Sequence, residues 1–177
     1  TKKKICDLKH LRNKVHDIGT IKNFPRKFKL NKIKNNNILV IPEGIKDELN
    51  IFIKFIKKNK KIKGLKFILR LHPVIKNDHN KYLKLLKGIN NIILSNETLQ
   101  NDFNRSKFVL FRGSNLVVNC IKNGLIPLYL CSGSNELNIN PIYDMNIPKI
   151  TKSKDLQKIL KTKYKYRSLL DDEKLFS

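Results

Sequence analysis

At 177 residues the chain has room for one domain with a genuine core and not for two large ones. Its hydrophobic content of 40% is that of a globular protein, and no apolar run approaches the ~18–20 residues that a membrane span needs. The formal charge of +24 admits two readings: an attraction for nucleic acid or an anionic surface, or a lysine-rich composition shared with abundant Asn and Ile. Lysines are spread over every segment rather than gathered in one block, and no RNP-like, zinc-finger or dsRNA-domain signature accompanies them, so specific nucleic-acid recognition is not expected.

The first apolar residues are scattered among lysines, which is not a signal-peptide pattern, and the chain opens on Thr1, as a fragment of a longer protein would. Ile5, Leu8, Leu11, Val15 and Ile18 share one face of a helix that Gly19 would stop. Residues 1–35 therefore read as a linker or the remnant of a neighbouring domain.

From residue 36 the pattern becomes regular. Residues 37–42 (NILVIP) form an apolar run closed by proline, a buried strand. Residues 46–60 follow with Leu49, Phe52, Ile53 and Ile56 on one helical face. Residues 66–73 (KFILRLHP) are the second strand, and the segment through YLKLLKG a helix closed by Gly88. Residues 91–95 are the third strand, with a short helix near 98–106. Residues 107–113 (KFVLFRG) are the fourth, 114–124 (SNLVVNCIKNG) its helix, and 126–131 (IPLYLC) the fifth. Residues 147–151 and 153–161 give a sixth strand and helix, and residues 163–177 a helical tail outside the core.

Strands alternating with helices over 36–162 predict a mainly parallel, doubly wound, six-stranded Rossmann-like sheet of the α/β class. The strands are continuous apolar runs, as burial of both faces requires. Ligands of such sheets bind beyond the carboxyl ends of the strands. Four ends carry unusual residues: Pro42-Glu43-Gly44, Arg70-Leu71-His72-Pro73, Arg112-Gly113-Ser114-Asn115, and the loop SGSNELNINPIYD after the fifth strand. All four are expected to converge on one edge.

At the fourth strand end, Gly113 lets the chain turn sharply and approach a ligand. Ser114 is placed to cap the following helix, whose free N–H groups favour an anion. Any strand-to-helix turn needs small polar residues, so the turn alone is also compatible with plain capping. At the second strand end, Pro73 holds His72 extended, where its imidazole can donate to a phosphate oxygen. His10, His16 and His79 receive no role.

The chain has no GxGxxG after its first strand, no GxxxxGK[ST], no GxSxG and no acidic cluster at metal-ligand spacing. Cys6, Cys120 and Cys131 have no CxxC spacing and are odd in number, so neither a disulfide framework nor a zinc site is expected and a reducing cytoplasm is the default. What remains is an anion pocket of a His, an Arg, a Ser and backbone N–H groups.

Together these residues resemble the carboxyl-terminal, donor-binding half of a GT-B glycosyltransferase, over roughly residues 36–160. The likeness is to enzymes with an HP motif after the second strand and a serine motif after the fourth: bacterial sialyltransferases, polysialyltransferases and CDP-glycerol glycerophosphotransferases. Here the motifs stand as Arg70-Leu71-His72-Pro73 and Arg112-Gly113-Ser114-Asn115. The stretch LVVNCIKNGLIPLYL resembles the family's small-residue helix, Gly, Pro and strand, and Val40-Ile41-Pro42-Glu43-Gly44 its first strand end.

The resemblance implies that His72, the catalytic candidate, and Ser114 hold the phosphate of a nucleotide-activated donor. Gly113 and Asn115 would shape the turn and Arg112 would add charge, with Glu43, Gly44 and Glu136 as donor-loop candidates. It implies a CMP- or CDP-type donor, with UDP or GDP also compatible, a glycan acceptor, and surface-polysaccharide synthesis in the cytoplasm or at the inner membrane face. No metal and no cofactor beyond the donor are implied, because fixed hydrogen-bond donors stabilise the leaving phosphate. The acceptor's general base comes from the family's amino-terminal half, so the fragment alone is expected to bind a nucleotide without turnover. Asn115 replaces a frequent second Ser or Thr, Asn119 falls where many relatives carry a ribose-binding Glu, and Asn140-Pro141 stands where a sugar loop prefers an acid. Two further readings stay open: a GT-B-like sugar-nucleotide epimerase using Glu43 and Glu136, and a module binding nucleic acid or an anionic surface.

Overall fold

The computed structural model describes residues 36–133, 139–142 and 146–161, without the side chains of 76–80. The expected helix near the amino terminus, the tail at 163–177 and Glu136 lie outside the described residues.

Six strands form one sheet in the order β3-β2-β1-β4-β5-β6. They are β1 (Ile38–Val40), β2 (Phe67–Leu69), β3 (Ile92–Leu94), β4 (Phe108–Phe111), β5 (Ile126–Leu130) and β6 (Lys149–Ile150). Every pairing is parallel, with Leu39 of β1 opposite Ile68 on one side and Val109 on the other. The chain is an α/β protein with a doubly wound Rossmann-like sheet. The first strand predicted at 37–42 is shorter than its apolar run: its last ladder bond runs from the Ile41 N–H to the Leu110 carbonyl at 3.1 Å, and the Ile41 side chain still faces the core.

The helices are α1 (Lys46–Lys58), α2 (His79–Leu86, entered through a 3₁₀ segment at Pro73–Asp78), α3 (Leu99–Asn104), α4 (Leu116–Lys122) and α5 (Ser153–Lys161). Alternate strand residues feed two cores, as the two-residue period of a strand dictates. Ile38, Val40, Phe67, Leu69, Phe108 and Leu110 meet Leu49, Phe52, Ile53 and Ile56 of α1 on one face. Leu39, Ile41, Ile68, Val109 and Phe111 meet Phe103, Val117 and Cys120 on the other. Gly88 and Gly124, at φ +82° and +81°, end the helices before them in the left-handed conformation that a Cβ disfavours.

The topology fixes where a ligand can sit. The chain winds from β1 outward to β3, then returns to β4 on β1's other side. The crossovers on either side of that return lie on opposite faces, and their loops part above β1 and β4 to leave a crevice.

Candidate functional site

The crevice is a cleft of about 460 Å³, within the range of small-molecule sites. The end of β1 contributes Ile41, Pro42 and Glu43, the end of β2 contributes Arg70 to Pro73, α3 contributes Leu99, and the β4–α4 turn contributes Ser114, Asn115 and Leu116. His72 and Ser114, separated by 42 positions in the chain, thus line one cleft.

His72 is exposed, and its Nδ1 accepts the Val74 N–H at 3.3 Å. In the neutral ring that assignment leaves the proton on Nε2, a hydrogen-bond donor on a cleft-lining side chain. A Cβ on Gly44 would lie 3.1 Å from His72 Nδ1, so glycine there makes room for the ring. Ser114 is nearly buried, and its hydroxyl makes no hydrogen bond to the other described residues.

The β4–α4 turn departs from expectation in three ways. The N-cap position of α4 is Asn115, in helical conformation and with no side-chain cap bond, so Ser114 is not the cap. The Ser114 carbonyl instead accepts the Val117 N–H at 3.2 Å in a tight entry turn. With only seven residues α4 also lacks the length that would give its amino end a strong field. Gly113 has no left-handed φ. Its missing side chain leaves space for the Glu43 carboxylate, whose Oε1 would lie 2.5 Å from a Cβ at 113.

Arg112 does not line the cleft. It is buried at 4% exposure, and its Nη1 donates to the Leu130 carbonyl at 3.2 Å. The side chain turns along the sheet toward β5 because β4 and β5 are paired up to Phe111 and Tyr129, one residue earlier. The described start of the loop after β5 lies elsewhere too: Leu130, Cys131 and Ser132 line a separate cavity between α1 and α5. Cys120 is fully buried and burial pushes its thiol pKa up, which suits a packing role. Asn119 and Asn140 make local backbone contacts, to Asn123 and Ile142, outside the cleft lining. Among the described residues no cluster of His, Cys, Asp and Glu could hold a metal ion. None of the described helices is long and apolar enough to cross a membrane.

Two buried carboxylates that the sequence did not single out hold the cleft's edges. Glu48, in the first turn of α1 and only 5% exposed, accepts the Glu43 backbone N–H. It also takes a backbone hydrogen bond from Gly113 and feels the Arg112 charge. Burial outweighs these partners and raises its pKa above the usual glutamate value, with the nearby Glu43 carboxylate adding to the rise. Glu48 therefore ties the β1 loop to the β4 turn. On the other wall Asp102, fully buried on α3, accepts from Arg70 Nη1 at 2.6 Å, Arg105 Nη2 at 2.8 Å and Ser95 Oγ at 2.7 Å. Arg70 also donates to the Glu97 carbonyl at 2.9 Å, so a partly exposed guanidinium is fixed at the cleft wall. An acid in a helix's first turn is a common solvated feature, and only the three-dimensional neighbours mark these two as buried.

No protein-family model and no curated protein matches the chain. Among solved structures it is similar to the C-terminal domain of a glycosyl transferase group 1 family protein (LpcC) from Francisella tularensis, at 15% identity and a TM-score of 0.43. That match covers 81% of this chain and 80% of the other. Likeness at this level carries no functional argument.

Proposed function

We propose that the switch-point cleft binds the phosphate of a nucleotide-activated sugar or polyol. In this reading the chain is the donor-binding half of a metal-independent GT-B transferase for surface polysaccharide. The observation that carries the proposal is that His72 and Ser114 line one cleft at the point where the strand order reverses. An imidazole Nε2–H and a hydroxyl without a partner among the described residues are two donors suited to a phosphate oxygen, and the fixed guanidinium of Arg70 adds positive charge beside them. As the donor's bond to phosphate breaks, charge grows on that oxygen, and donors already in place stabilise it without reorganising. Arg112, first assigned to this pocket, supports it from outside through Leu130 and Glu48.

Glu43 favours a second reading. Its carboxylate lines the same cleft as His72, so an acid and an imidazole stand by one ligand, as a sugar-nucleotide epimerase would need. In the transferase reading Glu43 instead opposes anion binding and accepts from ligand hydroxyls.

A thermal-shift panel of CMP, CDP, UDP, GDP and a short oligonucleotide tests the proposal. The expected result is stabilisation by a cytidine nucleotide, lost in His72→Ala and Ser114→Ala and only modestly sensitive to salt. Stabilisation by the oligonucleotide alone, falling steeply with salt, would replace it with an anionic-polymer module. Proton exchange at a sugar carbon, abolished in Glu43→Gln, would favour the epimerase. Working in the cytoplasm or at the inner membrane face belongs to the transferase reading.

A further inference from the structure

A second cavity, of about 440 Å³, opens beyond the carboxyl ends of β5 and β6. Its floor is apolar, made by Ile51, Phe55 and Leu130. Lys54 and Lys58 reach it from α1, on the same helical stripe as Ile51 and Phe55, and Lys152 from the start of α5. No acidic residue lines it, in contrast to the switch-point cleft with Glu43.

The nearby carboxylate of Asp155 is turned back on its own helix start. Its Oδ2 accepts the Thr151 N–H at 2.9 Å, the Lys152 N–H at 2.8 Å and the Thr151 hydroxyl at 2.8 Å. Lys54 and Lys58 have no ion pair or side-chain hydrogen bond among the described residues. Three lysines from two elements therefore line one space with an apolar wall, where like charges repel, and Asp155 offsets only that of Lys152. An oxyanion among them would convert that repulsion into attraction. The Thr151 hydroxyl is spent on Asp155, which leaves the Ser153 hydroxyl as a further donor beside the ammonium groups.

We propose that this cavity is a second anion site that takes a phosphate ester or diphosphate, held by Lys54, Lys58 and Lys152. Lysines cover much of this surface, and these three, themselves exposed, line one apolar-floored cavity together. Cavity size and apolar floor admit a phosphate group with a small organic body. The site is independent of the switch-point reading, because the two linings share no residue.

The test is competitive lysine acetylation of the full chain, with the rate at each lysine read by mass spectrometry. One arm adds inorganic pyrophosphate, and the other adds phosphatidylcholine vesicles containing phosphatidic acid. At ligand ten times above its dissociation constant, Lys54, Lys58 and Lys152 should slow about tenfold while other lysines keep their rates. The triple variant Lys54→Gln, Lys58→Gln, Lys152→Gln should lose at least about tenfold in pyrophosphate affinity, with an unchanged melting temperature. Protection by vesicles alone would place the same phosphate chemistry on a lipid headgroup and support the site. Uniform protection of all lysines, no protection in either arm, or loss of protection in His72→Ala would overturn it.

Discussion

The carboxylate of Glu43 stands in the space that any side chain on Gly113 would need, with Oε1 2.5 Å from where a Cβ would lie. Gly44 stands in the same relation to His72, at 3.1 Å. Each of these glycines thus makes room for a cleft-lining side chain of a neighbouring loop, and neither has a left-handed φ.

Gly113→Ala should therefore cost little stability, on the order of 0.5–1.5 kcal/mol, because the displaced neighbour is the free end of a flexible side chain. It should instead push Glu43 into the cleft and weaken phosphate binding roughly fivefold through like-charge repulsion. Calorimetric titration of the variant checks this, and adding Glu43→Ala should restore affinity. A variant that binds as the parent does would show that Glu43 has room elsewhere.

Glu48 predicts an unusual pH dependence. Its folded-state pKa lies above the usual glutamate value, so the folded protein holds this proton more tightly than the unfolded chain. Its contribution to stability is most favourable below the ordinary glutamate pKa and is lost as pH rises through the raised one, with a slope of at most ~1.4 kcal/mol per pH unit. Urea unfolding between acid and neutral pH should show this loss in the parent and a flatter profile in Glu48→Gln. Superimposable profiles would count against a buried, desolvated carboxylate.

Asp102 balances two guanidinium groups from full burial. Asp102→Ala removes the acceptors of Arg70, Arg105 and Ser95 together and should destabilise the fold by ~3–5 kcal/mol. Asp102→Asn, which keeps the shape and one acceptor, should lose less. Equilibrium unfolding of the two variants measures the difference, and near-parental stability for both would mean that the arginines find water instead.

The parallel sheet was legible because six apolar runs alternate with amphipathic stripes, and a strand buried on both faces cannot hide its composition. That His72 and Ser114 line one cleft was legible for the same reason, since parallel strands bring their carboxyl ends to one edge. Arg112 was misread because the side-chain direction just past a strand depends on where the ladder ends, and β4 stays paired through Phe111. Ser114 was misread as a cap because a small polar residue before an apolar helix satisfies both a cap and a tight entry turn. Glu48 and Asp102 were missed because an acid in a helix's first turn looks the same in sequence whether it faces water or buried donors from other segments.

The most direct test of the shared phosphate cleft is a double-mutant cycle on CDP affinity, measured by calorimetry for the parent, His72→Ala, Ser114→Ala and the pair. Two donors on one phosphate should each cost about tenfold when removed and should couple by ~0.5 kcal/mol or more. Binding that neither substitution changes, or strictly additive losses from both, would contradict it.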